Sequence, residues 1–531
     1  MLSRLFCRPL KALLTGLLLV LSLAAPSAQA QELRIATAFD PQTMDPQALA
    51  LLYHARINYQ IYESLVNRDQ QFKLEPALAL SWQMSGPRAW RFKLRPGVHF
   101  HDGTPFTADD AVFSLQRAMK PPSQRAFQLK GVTAVRKVDA STIEFELESP
   151  DAVLPEKLQF VPMMSKAWCE KNGVTSAQDF NNKEETYAVR HANGTGPFKL
   201  VRFEPDVRTV LQRNTAWWGW ADKRSGNVVD VTFTTIKSDA TRLAALASGE
   251  VDLVLDPPFQ DVQRLKSDSR IRLLQMPDLG EQYFTFDQAR DELQDSDVKG
   301  RNPFKDLRVR KAVYQALNID LIISKVLRGQ AHATGAFLST RVDGSPAELD
   351  HRLPYDPAAA RKLLAEAGYP KGFAVTLDCV NIAWRENVCQ AAAAMLTQVG
   401  IRTTLRASPS NQFFPKLSQG TASFIEFGWT PNVDAWSSLN ALFHSYQPGG
   451  FGTFNAGRYS NPDLDKLIDA LRIEPDLTRR RALVATVLRK VAAELPYIPL
   501  YRRTLTWAMS NKVSAVQWPS DTIELRWVRV N

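Results

Sequence analysis

Along residues 33 to 150 the hydrophobic positions switch repeatedly between a period of two and a period near 3.6. Trp90-Arg-Phe-Lys-Leu94 alternates apolar and polar side chains and predicts a strand, Pro96-Gly97 a turn, and His99-Phe-His101 a second extended run. Thr107-Ala-Asp-Asp110 opens a helix that reaches Ala118. The Thr107 hydroxyl can serve a free amide of the first turn, and the Asp110 charge suits the positive end of the helix dipole. Further on, Phe198–Phe203 and Val207–Arg213 read as a hairpin, followed by the aromatic run Trp217-Trp218-Gly219-Trp220. From Thr241 a helical run reaches Leu246, stops at Gly249 and feeds the alternating Val251–Leu255.

The same helix-to-strand grammar returns later. Asp356-Pro357 supplies an N-cap and a first-turn proline, Ala360, Leu363, Leu364 and Ala367 recur at helical spacing, and Gly368 ends the helix before a strand from Phe373. A helix from Val388 to Gln398, stopped at Gly400, leads to a strand Ile401–Leu405. Alternation of this kind through residues 300 to 430 implies a second α/β lobe. The charged stretch Asp287 to Asn302 reads as an exposed insertion.

The N-terminus has a different logic. Arg4, Arg8 and Lys11 precede an apolar run from Ala12 to Leu23, and Ala28-Gln29-Ala30 offers small residues for cleavage, so residues 1–30 read as a signal peptide. A run of that length rises only about 18 Å as a helix, too little for a hydrocarbon core of about 30 Å. The expectation is an exported, soluble protein, most simply in a bacterial periplasm. The leader carries three of the positive charges behind the formal +10, which leaves +7 on the rest. With no block of five like charges, the arginine excess reads as a solvated surface, and nucleic acid is not expected as a partner.

Composition supports this picture: 45% hydrophobic and 23% charged residues exclude collagen-like, coiled-coil and largely disordered classes, and 32 prolines argue against an all-helical bundle. Three cysteines follow the leader. Cys379 ends a β-patterned run and Cys389 opens a helical one, so a disulfide between them would staple a strand to its following helix; three inert buried thiols are the alternative, with Cys169 read as inert on either view. No Cys-x-x-Cys pair exists, and zinc is not expected.

Catalytic motifs are missing. The chain contains no Gly-x-Ser-x-Gly, His-Glu-x-x-His, phosphate-binding P-loop or Gly-x-Gly-x-x-Gly. His99 and His101 lie beside Asp102 but read as structural, and Asp109-Asp110 and Asp463/Asp465 read as helix-start residues, so no catalytic residue, metal or cofactor is expected. What remains suggests recognition. Phe424 to Trp436 is a strand entering a loop, where Trp429 and Trp436 offer flat apolar surfaces and Asn432 and Asp434 offer hydrogen-bonding groups, a mixture suited equally to a small-molecule cleft and to a core beside a turn.

Several segments resemble the periplasmic oligopeptide- and dipeptide-binding proteins of ABC importers, family 5 of the extracellular solute-binding proteins. They are Met44-Asp-Pro46, Ile61-Tyr-Glu-Ser-Leu65, the block Trp90 to Phe106 with Ala108 to Ser114, Gly194-Thr-Gly-Pro-Phe198, Asp306 to Ala312, Leu363 to Tyr369 and Tyr459 to Asp465. The resemblance implies an α/β clamshell of the periplasmic-binding-protein class II type, with two lobes, a two-segment hinge and an extra inserted subdomain in lobe one. It divides the chain into a lobe-one base at 31–53, 190–280 and 505–531, the inserted subdomain at 54–189 and lobe two at 281–504.

The function implied is capture of a peptide or peptide-like solute and delivery by a monomer to a permease and ATPase complex at the inner membrane. A secreted hydrolase on the same scaffold, or a receptor for an opine or oligosaccharide, is the alternative. In peptide-binding relatives the loop after the Gly-Trp pair presents an aspartate to the ligand ammonium; here Asn432 takes that position and Asp434 follows two residues later. Arg385 falls in the segment where relatives hold the ligand carboxylate, and Tyr53 and His54 fall in a cleft-lining one.

Overall fold

The computed structural model describes residues 31–431, 434–447 and 451–531. The expected signal peptide and Asn432 lie outside them. Two sheets meet along one strand, Tyr497–Ser510, which is long enough to serve both. Its first half pairs antiparallel with Glu281–Phe286, and beyond that strand lie Phe424–Trp429, Phe373–Val380 and Ile401–Ser408. Its second half pairs with Ile271–Pro277 and with the short strand Leu253–Val254, beyond which lie Glu32–Thr37, Asp230–Thr235 and the hairpin Phe198–Glu204/Arg208–Arg213. A separate four-stranded antiparallel sheet is built from Ala79–Gly86, Ala89–Leu94, Val132–Asp139 and Thr142–Leu147.

The local rules that shape these elements are visible in their ends. Thr107 and Asp110 form a capping box at the start of helix Ala108–Met119, with the Asp110 carboxylate accepting the Thr107 amide at 2.9 Å. Asp356 caps Pro357–Glu366 by accepting the Ala359 amide, and Gly249 closes Asp239–Ser248 with φ of +77°, a conformation that disfavours a side chain. Each sheet buries its own core. Phe92, Ile143 and Phe145 pack under the separate sheet; Leu33, Phe198 and Trp507 fill one end of the large assembly; Phe284, Phe424 and Leu377 fill the other.

Three expectations need revision. His99–His101 forms no strand; His99 makes a single bridge to Pro105, because the Asp102-Gly103 turn interrupts pairing. The helix expected from Val388 begins at Ala383. The stretch Asp287–Asn302 is irregular but not a free insertion. Leu293 is buried, Ser296 bridges Val375, and Asp297 and Asp295 pair with Arg402 and Arg406, so its acids bind it along the neighbouring strands. Among the described residues no helix is long and apolar enough to cross a membrane.

Candidate functional site

Two adjacent stretches of backbone link the halves of the divided sheet, and they are tied to each other. The link Asp278-Leu279-Gly280 joins Ile271–Pro277 to Glu281–Phe286, and Arg503 lies in the long strand beside it. Asp278 donates its amide to the Arg503 carbonyl at 2.9 Å, and its carboxylate accepts from Arg503 Nη2 at 2.9 Å. Gly280 has no room for a Cβ, which would stand 2.9 Å from Thr430 Oγ1 and 3.0 Å from the Trp429 carbonyl. The crossing therefore lies directly against the end of Phe424–Trp429, the strand that carries the aromatic loop.

Trp429 is half-buried there. Its Nε1 donates to Ser438 Oγ at 3.0 Å and its ring lies 5.2 Å from the exposed Phe454. Asp434 is buried and employed as a helix cap. Its carboxylate accepts from the Ser437 amide at 2.8 Å and the Ser437 hydroxyl at 2.6 Å, which holds the start of Ala435–Phe443. Trp436 packs on the same core cluster as Trp429, with Lys157 and Arg472 over its ring at 5.7 and 5.4 Å.

Tyr53 stacks on the exposed Phe39, ring centres 4.7 Å apart. Its neighbour His54 is wholly buried, with Nε2 3.0 Å from the Asp45 carbonyl. Burial, helped by the Arg125 charge, depresses its pKa to about 3 and keeps the ring neutral. His54 thus contacts the lobe interior, while Tyr53 sits at the surface.

Arg385 is also internal. Its guanidinium grips Glu426 through Nε at 2.9 Å and Nη2 at 3.1 Å, and Glu426 is fully buried. Burial pushes the Glu426 carboxyl up against the pull of Arg385. A disulfide joins Cys379 to Cys389, and Cys379 Sγ lies 3.7 Å from Glu426 Oε2. The two sulfurs and Glu426 approach one another as three metal ligands would, but the sulfurs are spent on their mutual bond. Cys169 is buried and unbonded.

Sequence reasoning overlooked the residues beside this cluster. Trp384, in the first turn of helix Ala383–Gln398, stands between Arg385 and Arg503, whose guanidinium carbons lie 5.6 and 5.8 Å from its ring. It lines a cavity of about 130 Å³ with Leu327 and Gln330, with Arg503, Thr504 and Leu505 of the long strand, and with Phe259. The one available signal was a tryptophan next to an arginine in a stretch already singled out. Nothing in the linear order pairs it with residue 259 or 503.

The model for bacterial extracellular solute-binding proteins, family 5 Middle, matches residues 73–450. The chain belongs to family 5 of the bacterial extracellular solute-binding proteins. Members of this family are the solute-binding components of ABC importers. A curated relative, the glutathione-binding protein GsiB of Pectobacterium atrosepticum, is 27% identical over 518 residues, covering 94% of each chain. The fold matches the murein tripeptide-binding protein MppA in its unliganded open form, with TM-score 0.80, 23% identity and coverage of 95% and 98%. It also matches DppA of Helicobacter pylori in complex with the peptide STSA, with TM-score 0.70, 24% identity and coverage of 94% and 98%. The family 5 fold accounts for the two-lobed α/β architecture and its divided sheet.

Proposed function

We propose that this protein is a periplasmic receptor that captures a peptide or peptide-like solute between its lobes and delivers it to the membrane permease of an ABC importer. The observation that carries this reading is the hinge: two adjacent crossings, Asp278–Gly280 and Arg502–Thr504, with aromatic surface on both sides of them. Such a joint lets a ligand that touches both lobes favour the closed population without any bond being made or broken.

The lobe boundaries follow the same reading. Residues 31–53, 190–280 and 505–531 form the base of lobe one, 54–189 its inserted subdomain and 281–504 lobe two. Residues 1–30 direct export and are removed. With Arg385 and Asp434 both engaged within lobe two, recognition falls to other groups on the cleft surface: Trp429, Phe39, Tyr53, Trp384 and Arg503.

Native mass spectrometry of protein purified without refolding, followed by a thermal-shift screen of di- to pentapeptides and S-methylglutathione, tests the reading. The expected result is a retained or added small ligand that raises the unfolding temperature and lowers the radius of gyration in X-ray scattering. Steady consumption of an added compound, or a ligand that stabilises without compaction, would argue against a transport receptor.

A further inference from the structure

The cavity between Phe259 and Trp384 lies where the lobes meet at the hinge, apart from the Trp429 loop. Its apolar walls are Phe259, Leu327, Leu505 and the Trp384 ring, and its volume of about 130 Å³ is close to the ~150 Å³ that accommodates a benzene ring in a protein core. Gln330 and Arg503 break this lining, and Gln330 Oε1 already accepts from Gln275 Nε2 at 3.0 Å. Arg503, about half exposed, meets Asp278 through Nη2, leaving the rest of its donor fork toward Trp384 and the cavity. Arg385, the other cation at the ring, is neutralised by Glu426, so the charge available to a ligand here is that of Arg503.

We propose that this cavity is a ligand subsite that takes an apolar side chain of phenyl or isobutyl size, with an adjoining carboxylate held by Arg503. The assignment rests on the reading of the cleft as the ligand site, and it narrows that reading to solutes with an apolar, anionic end. Phe259 comes from one lobe and Trp384 from the other, so an occupant of this subsite touches both and contributes to closure.

The test uses 3-phenylpropionate as a fragment that carries only the apolar group and the carboxylate. Protein labelled with 5-fluorotryptophan is followed by 19F NMR, with the Trp384 signal assigned by its loss in Trp384→Phe. At fragment concentrations up to about 10 mM, in the range where a ~1 mM dissociation constant saturates, 3-phenylpropionate is expected to move that signal. The matched cation 3-phenylpropan-1-amine is expected to leave it in place, and Arg503→Gln to weaken the anion about tenfold or more.

A Trp384 signal indifferent to both fragments overturns the subsite, and an equal response to both overturns its anionic character. A second arm compares Ala-Ala-Phe with Ala-Ala-Ala by calorimetry, where the aromatic tripeptide is expected to bind at least about tenfold tighter. Fragment binding without any tripeptide binding keeps the subsite and removes the peptide reading. Tripeptide binding that ignores the terminal side chain, with no fragment effect, keeps the peptide reading and removes the subsite.

Discussion

Arg385 and Glu426 form a pair in which the two partners are not equivalent. Both are buried, but the Glu426 carboxyl is already pushed up by burial and can lose its charge by taking a proton, whereas a guanidinium cannot be neutralised. Glu426→Ala leaves an unpaired buried cation and is expected to cost about 3–5 kcal/mol in chemical denaturation. Arg385→Ala leaves a carboxyl that protonates, and is expected to cost less, about 1–3 kcal/mol. Equal losses, or the reverse order, would show that the pair does not control the stability of this region.

His54 gives a pH signature. Its folded pKa of about 3 lies below the unfolded value, so below pH 6.5 the unfolded chain binds a proton that the folded one excludes. The stability this group contributes is complete above its unfolded pKa and declines as pH falls toward 3. Between pH 7 and pH 5 the loss amounts to about 2 kcal/mol. Urea unfolding of the wild type and His54→Gln at both pH values should show that much less pH dependence in the variant. Identical slopes would contradict a buried neutral ring.

At the scale of elements, legibility followed local chemistry. The caps at Thr107 and Asp356 and the stop at Gly249 act through backbone groups a few residues away, and the sequence pattern located each of them. The helix from Ala383 was placed five residues late, because Trp384 and Arg385 break the apolar spacing for reasons that lie elsewhere: one lines a cavity and the other pairs with Glu426. The candidate site was legible in part for the same reason. Trp429 stands out by composition, whereas Phe259, Trp384 and Arg503 converge on one cavity only through the tertiary fold. Residue type alone did not tell the helix-capping Asp434 or the internal Arg385 from cleft-facing groups.

The disulfide ties this helix to the strand Phe373–Val380 with a sequence separation of 10, and it lies against the Arg385–Glu426 pair. Closing so short a loop contributes about 2.5–3 kcal/mol in the chain-entropy model. Replacing both cysteines by serine should lower the unfolding free energy by roughly that amount, with a matching loss on reduction of the wild type. In the fluorotryptophan spectrum the Trp384 signal should respond to reduction, while that of Trp507, buried in a separate core with Leu33 and Phe198, should not. A reduced protein with unchanged stability and an unchanged Trp384 signal would show that the bond does not anchor the helix start.

In the proposed division the lobes also meet away from the hinge, and this contact bears on how the whole molecule would close. Arg472 of lobe two donates to Ser149 Oγ at 2.6 Å, and Lys157 and Arg472 flank Trp436. Arg480 lies deeper in the same contact. It is buried, its Nη1 and Nη2 have no hydrogen-bond partner, and burial lowers its pKa despite the charges of Asp434, Asp151 and Glu156 around it. In the proposed division of the chain Asp151 and Glu156 fall in the inserted subdomain and Asp434, with the more distant Asp343, in lobe two, so a rotation of the lobes would change which of them the guanidinium can reach. An unpartnered buried donor is costly in the resting arrangement, and any arrangement that satisfies it is favoured by the same amount. Arg480→Met removes the cost while keeping much of the side-chain volume. The variant should be more stable than the wild type without ligand, by about 1–3 kcal/mol, and should gain less stabilisation and less compaction from ligand. Unfolding curves and X-ray scattering with and without bound solute separate the two effects. A variant that loses stability in the unliganded state, yet compacts with ligand as the wild type does, would make Arg480 a packing residue with no part in closure.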